Sequence, residues 1–193
     1  MKAEYRSAKR SRKMIREAFL ELVKEKDINK ITVTDIVKRA DLNRSTFYAH
    51  YADVRAILEE IENEVIDKML EILKKFEFKN FFNNPTPLLL EVSRFIERNQ
   101  EIYKILLNAP GSEIFLKKLK HVFAQYMLSD TDIPEYLKDS KMVNLRISYF
   151  AGGLIHMYSE WFDGNLDCSL NDISLEVSKL LSLEAEELLK STS

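Results

Sequence analysis

At 193 residues the chain can bury a substantial core, as one large domain or as a small domain joined to a larger one, which excludes a cross-linked mini-protein. With 46% hydrophobic and 31% charged residues against only 4 Gly and 4 Pro, composition argues against a turn-rich β architecture and for an all-α fold, and the single cysteine, Cys168, excludes an intrachain disulfide. The net charge of -2 hides a basic head, 14 Lys and Arg against 8 Asp and Glu over residues 1–55, ahead of a body carrying -8.

Within the head, Ile15, Ala18, Phe19, Leu22 and Val23 recur at helical spacing, which predicts an amphipathic helix from Ser7 to about Lys26. Its approach carries Arg6, Lys9, Arg10, Arg12 and Lys13, a density of cations that packing does not require and that suits phosphates. Thr32 or Thr34 can cap a second, short helix whose apolar positions Val33, Ile36, Val37 and Ala40 end near Asp41 and Leu42. Asn43 caps a third, Arg44 to about Tyr51, and Asp53 a fourth that starts at Val54. Two short helices joined by a tight turn suggest a helix-turn-helix. Phe47 and Tyr51 share one face of the third helix and are expected in the core, while Thr46, Tyr48 and His50 project elsewhere.

The segments Ile31-Thr32-Val33-Thr34-Asp35-Ile36-Val37-Lys38-Arg39-Ala40 and Asn43-Arg44-Ser45-Thr46-Phe47-Tyr48-Ala49-His50-Tyr51-Ala52-Asp53 resemble the DNA-binding region of the tetracycline-repressor (TetR) family. The Thr-Phe-Tyr-x-His-Tyr run on a capped short helix is the specific part. The resemblance implies a DNA-binding domain over residues 1–53, with Arg44 and Thr46 at base edges or phosphates and Tyr48 and His50 on the DNA backbone. It also implies a Thr32 that places the second helix against phosphate, with Ser45, Lys9, Arg10 and Arg12 completing the DNA-binding set. Arg44 is the candidate for reading guanine. Two plainer roles stay open: Thr32 as a cap alone and His50 as a packed histidine. Two positions depart from the family's pattern. Ser45 stands where Gly is frequent, and Val54 stands where a phosphate-holding Lys is usual; Arg55 beside it points about 100° away on a helix.

From Val54 to about Phe78, Ile57, Ile61, Val65, Met69, Ile72, Leu73 and Phe76 advance by threes and fours, predicting a helix that runs from head into body. In the resembled family this helix relays ligand state to the DNA-reading heads. Asn80 to Pro87 reads as a loop, and Leu88–Asn99, Gln100–Leu107 and Ser112 to about Leu128 as helices, broken at Asn99 and at Asn108-Ala109-Pro110-Gly111. A polar break covers Ser129 to Ser140. Two long helices follow, striped by Val143, Ile147, Phe150, Leu154, Tyr158 and Trp161 and by Ile173, Val177, Leu180, Leu181 and Leu188. Gly152-Gly153, at a cost of roughly 1 kcal/mol per Gly relative to Ala, predicts a close helix approach or room for a ligand.

The segment from Ala151 through Trp161 to Gly164, followed by the Ser169-Leu170-Asn171-Asp172-Ile173 helix start, resembles one C-terminal subgroup of TetR-like regulators. This implies that residues 54–193 are a ligand-binding and dimerisation domain. Phe95, Tyr103, Phe123 and His156 would then be the pocket candidates, and Phe150, Leu154, Tyr158, Trp161, Val177 and Leu181 the pairing surface of an isologous homodimer. His121, His156 and Cys168 lack close-spaced partners, so neither a metal nor another cofactor is expected.

The expected architecture is all-α, about nine helices, with a three-helix head and a helical body. The expected function is ligand-responsive transcriptional regulation: a cytoplasmic homodimer that represses at palindromic double-stranded operator DNA and lets go when a small-molecule effector favours a body conformation with misplaced heads. The alternative is a co-regulator with weakened DNA binding, motivated by Val54, that acts through a small ligand and a protein partner. No nucleophile–base pair, Gly-rich phosphate loop or spaced carboxylate pair supports an enzyme, and no stretch approaches the roughly 20 apolar residues that span a membrane.

Overall fold

The computed structural model describes the backbone of residues 2–76, 84–129 and 141–191. These residues form helices and no strand: α1 Lys2–Glu25, a 3-10 turn Ile28–Lys30, α2 Val33–Arg39, α3 Arg44–Tyr48, α4 Val54–Leu73, α5 Thr86–Arg98, α6 Gln100–Asn108, α7 Ser112–Ser129, α8 Lys141–Phe162 and α9 Leu170–Ser191. Two compact units result, Met1–Glu64 with Asn108–Pro110, and Val65–Leu107 with Gly111–Ser193, so each unit holds part of α4. The predicted loop from Asn80 lies outside the described residues as far as Asn83, as do residues 130–140 of the polar break and the side chains of Val143 and Leu188.

In the first unit, α1 begins at Lys2 rather than Ser7, because Lys2 to Lys13 holds neither Gly nor Pro to stop it and is rich in Ala, Lys and Arg. Ile15 and Phe19 of α1, Ile36 of α2, Phe47 of α3 and Ile57 and Ile61 of α4 are fully buried, and form the centre of the unit. Each such side chain contributes roughly 1.5–3 kcal/mol of transfer free energy. Of the two threonines able to start α2, Thr32 does so through a reciprocal box: its Oγ1 accepts from Asp35 N–H (3.2 Å) while Asp35 Oδ2 accepts from Thr32 N–H (2.8 Å).

The turn after α2 closes with Leu42 N–H donating to the Val37 carbonyl (2.9 Å) and Asp41 N–H to that of Lys38 (3.4 Å). Asp41 therefore sits at φ +51°, left-handed backbone that only Gly adopts without strain and that Asn and Asp tolerate best among the rest. Gly164 fills the equivalent place after α8, at φ +76°. α3 ends at Tyr48, not Tyr51, because the backbone tightens there: His50 and Tyr51 N–H both donate to the Phe47 carbonyl. The chain is then free for Asp53 Oδ1 to accept from Ala56 N–H (2.9 Å) and start α4.

In the second unit α5 packs on α9, burying Leu88, Leu89, Val92 and Ile96 against Leu170, Ile173 and Val177. Small hydroxyl residues let the two backbones approach: Ser93 and Ser174 Oγ are 2.6 Å apart, and Thr86 Oγ1 and Ser178 Oγ 2.5 Å. α7 packs on α8. Ser169 and Asp172 box the start of α9 as Thr32 and Asp35 box α2.

Candidate nucleic-acid interface

α3 is held from beneath by Phe47, which is fully buried, and Tyr51 just beyond it, which is 4% exposed; on the outer side Tyr48 is 56% exposed. Phe47 and Tyr48 rings meet edge to face at 5.5 Å, so the buried ring fixes the direction of the exposed one. Asn43 organises the first turn: its Oδ1 accepts from Thr46 N–H (2.7 Å), Thr46 Oγ1 (2.8 Å) and Ser45 Oγ (2.7 Å). The Ser45 and Thr46 protons are spent on Asn43, leaving hydroxyl lone pairs. Arg44, exposed, donates one bond to Thr34 Oγ1 (2.6 Å) and keeps the rest of its five-donor fork. Thr34 is a support the sequence reading missed, since only the folded turn brings it beside Arg44.

The remaining candidates divide by what they engage rather than by exposure, Arg12 being exposed as Lys9 and Arg10 are. Lys9 and Arg10 are exposed on α1. Arg12 lies against α4 instead, its guanidinium 2.6 Å from Glu60 and 5.6 Å from the centre of the Tyr51 ring; Glu60 first and Tyr51 second hold it in the charged form, above its ordinary range. Arg16 extends the network to Glu64. His50 is half-buried, its Nε2 2.7 Å from Ser11 Oγ, and so ties the end of α3 to α1. Thr32 keeps its hydroxyl inside the capping box, where Lys26 (2.6 Å) and Thr32 hold the Asp35 carboxyl well below the usual range. Arg55 does not stand in for the missing lysine at Val54: its Nη2 is 2.8 Å from buried Glu62 and its Nη1 donates to the Pro110 carbonyl (2.7 Å).

Residues 15–61 match the model of the bacterial regulatory proteins of the tetR family, and residues 83–183 match a transcriptional regulator C-terminal region whose model bears the same family name. The chain belongs to the TetR family. This is a family of DNA-binding transcription factors, not of enzymes. The uncharacterized HTH-type transcriptional regulator YxbF of Bacillus subtilis (strain 168) is 30% identical over 122 residues, 59% of this chain but only 30% of that protein's length. A TetR transcriptional regulator from Streptococcus agalactiae 2603V shares the fold at a TM-score of 0.66 and 22% identity, covering 93% of this chain and 97% of that one. A TetR-family protein of Syntrophomonas wolfei does so at 0.71 and 14% identity, covering 92% and 95%.

The second unit of this TetR-family chain contains a cavity of about 70 Å³ bounded by Met69 and Leu73 of α4, Leu89 and Val92 of α5, Tyr103 of α6, Leu119 and Phe123 of α7, and Leu154, Ile155, Tyr158 and Phe162 of α8, among others. Of the residues read as pocket candidates, Tyr103 and Phe123 line it. Phe95 does not, but its ring meets Tyr103 edge-on at 6.1 Å. His156 is exposed: one position past the cavity-lining Ile155, it is turned about 100° to the outside.

The residues read as a pairing stripe fall on two sides. Leu154 and Tyr158 line the cavity, and Tyr158 and Val177 are buried within the single chain. Phe150, Trp161 and Leu181 are half-buried, Trp161 Nε1 donating to the Cys168 carbonyl (2.9 Å). Exposed instead are Leu145, Tyr149, Leu175, Leu180 and Leu183. Gly153 does not line the cavity either, and among the described residues nothing lies within 4 Å of where its Cβ would be. No helix among the described residues is long and apolar enough to cross a membrane.

Proposed function

We propose that the chain acts as a homodimeric, ligand-responsive repressor that holds a palindromic operator through α3. The observation that carries this is α3 itself: Arg44, Ser45 and Tyr48 stand outward on a helix pinned by Phe47 and Tyr51, in a head whose sequence is cationic. Arg44 can reach a guanine edge bidentately. Ser45, Thr46 and Tyr48, with Lys9, Arg10 and the start of α2 at Thr32, serve the phosphates, which set register rather than sequence. His50 and Arg12 hold α1 to α3 and α4, so that these contacts share one rigid frame. DNA contact is thereby assigned to residues 1–53, and ligand binding and pairing to residues 54–193, in the cytoplasm where operator DNA lies.

Pairing is assigned to the outer faces of α8 and α9, where Leu145, Tyr149, Leu180 and Leu183 are exposed and Gly153 leaves room for a second backbone; Phe150, Trp161 and Leu181 flank them. A two-fold pair places two α3 helices about 34–36 Å apart, matching successive major grooves. The co-regulator reading retains one support: Val54 offers no cation at the start of α4 and Arg55 is engaged by Glu62. Footprinting at low salt separates the two. A protected inverted repeat, weakened by Arg44→Ala and Tyr48→Ala, is expected; absence of any protected site, together with capture of another regulator, would favour the co-regulator.

A further inference from the structure

Arg12, Arg16, Arg39 and Arg55 of the first unit are each claimed by a carboxylate, of Glu60, Glu64, Glu25 and Glu62 in turn. Arg44 is held differently. Among the described residues its guanidinium has no carboxylate partner; its Nη2 donates to the hydroxyl oxygen of Thr34 (2.6 Å), a neutral acceptor on the first turn of α2. Thr34 is available for this because Thr32 takes the cap of α2, which leaves the Thr34 hydroxyl serving no backbone group. The turn between the helices is closed from Leu42 N–H to the Val37 carbonyl (2.9 Å), and Asn43 caps α3. The Thr34–Arg44 bond therefore joins two helices whose relation the backbone already fixes.

We infer that Thr34 is a positioning residue for DNA reading: it holds the Arg44 guanidinium in one orientation without cancelling its charge, and so sharpens the choice of guanine where Arg44 meets the groove. The inference rests on the DNA-reading role of α3 proposed above and deepens it. An arginine on an exposed helix has many rotamers, whereas a bidentate pair with guanine O6 and N7 needs one plane. A support that sets the plane beforehand removes that ordering cost from the correct base pair. An unsupported guanidinium swings instead to a thymine O4 or to a phosphate, which lowers the penalty for a wrong base. A carboxylate in the place of Thr34 would orient the side chain but offset its charge and set a like charge against the phosphates. A hydroxyl orients it with no charge of its own, and spends one of the guanidinium's five donors.

The test uses the full chain and two DNA duplexes: the repeat that the parent selects from a random double-stranded pool, and the same repeat changed at the base pair whose information Arg44→Ala loses. Thr34→Val keeps the shape of the side chain and removes the acceptor. At one salt concentration it should lower the preference for the selected repeat by roughly three- to tenfold, the range expected of one hydrogen bond, with affinity for the changed repeat within about twofold of the parent's. Thr34→Ser keeps the hydroxyl and should restore the preference. In an Arg44→Ala background Thr34→Val should make no further difference, because Thr34 acts through Arg44. Without DNA, NMR relaxation of the Arg44 Nε–H should show an ordered side chain in the parent and in Thr34→Ser and a mobile one in Thr34→Val. The inference is overturned if Thr34→Val leaves the preference unchanged, weakens both duplexes alike or acts undiminished on Arg44→Ala. It is overturned equally if Thr34→Ser does not restore the preference, or if Arg44 is as mobile in the parent as in Thr34→Val. Loss of information in Arg44→Ala with none in Thr34→Val removes this inference alone; no loss at any position in Arg44→Ala removes the guanine-reading role of Arg44 and this inference with it.

Discussion

Replacing Tyr103 with Phe should make the ligand-free protein more stable, an unusual direction for a buried tyrosine. The hydroxyl is removed from water without a partner among the described residues, whereas the ring contacts to Phe95 and Phe162 that hold the side chain survive the substitution. An uncompensated buried hydroxyl costs about 1–3 kcal/mol, and its removal returns that amount. For a chain of this length about 1 kcal/mol corresponds to about 2–4 °C in Tm. Tyr158→Phe is the control with the opposite sign, because it takes a bond from Ser93 (3.0 Å) and should cost about 0.5–1.5 kcal/mol. Urea unfolding followed through the fluorescence of the single tryptophan, Trp161, reads both: the Tyr103→Phe midpoint should rise at unchanged m, and that of Tyr158→Phe should fall. A Tyr103→Phe protein no more stable than the parent would mean that the hydroxyl is satisfied in solution and would refute this reasoning.

Asp41→Gly should raise the stability of the head by about 0.5–1 kcal/mol by relieving the left-handed backbone after α2, while Asp41→Val should lower it, both read by thermal unfolding. Thr32→Ala opens the capping box and should cost about 1 kcal/mol, with loss of helical signal in the isolated-domain transition where one is resolved. Burial pushes the Tyr103 and Tyr158 hydroxyls up from the usual tyrosine value. A raised folded value means that their contribution is intact below the unfolded pKa of about 10 and is lost as pH climbs through the folded one; the urea midpoint should therefore fall as pH rises past about 10, and less steeply in Tyr103→Phe.

The head was legible because its signals are local. Asn43 and Asp53 cap because their side chains reach a backbone N–H three residues on, and Phe47 and Tyr51 are core because four residues return a helix to the same face. What local pattern misstated was extent: α3 stops at Tyr48 since the chain must turn before the Asp53 cap, a competition that periodicity does not register. The direction of Arg55 was legible as well, but not the buried Glu62 that claims it.

The body was harder because an apolar stripe states that a face is covered without naming what covers it. α8 has two such faces: Leu154 and Tyr158 meet the cavity, while Leu145 and Tyr149 remain outside. One stripe on paper therefore mixed residues of the chain's own core with those assigned to pairing. His156 sits on a cavity-lining helix, yet its neighbour Ile155 faces inward and one residue turns a helix by about 100°. That the Tyr103 hydroxyl lacks a partner among the described residues is set by the side chains of several helices packed around it, which no spacing along the chain encodes.

Selection of binding sites from a random double-stranded DNA pool, run side by side on the parent protein and on Arg44→Ala and Tyr48→Ala, tests the DNA-reading role most directly. An enriched inverted repeat whose half-site centres lie about one helical turn, 10–10.5 base pairs, apart, with information lost at one position in Arg44→Ala and affinity lost uniformly in Tyr48→Ala, is the predicted outcome. No enrichment, or the same repeat at the same affinity from all three proteins, would contradict it.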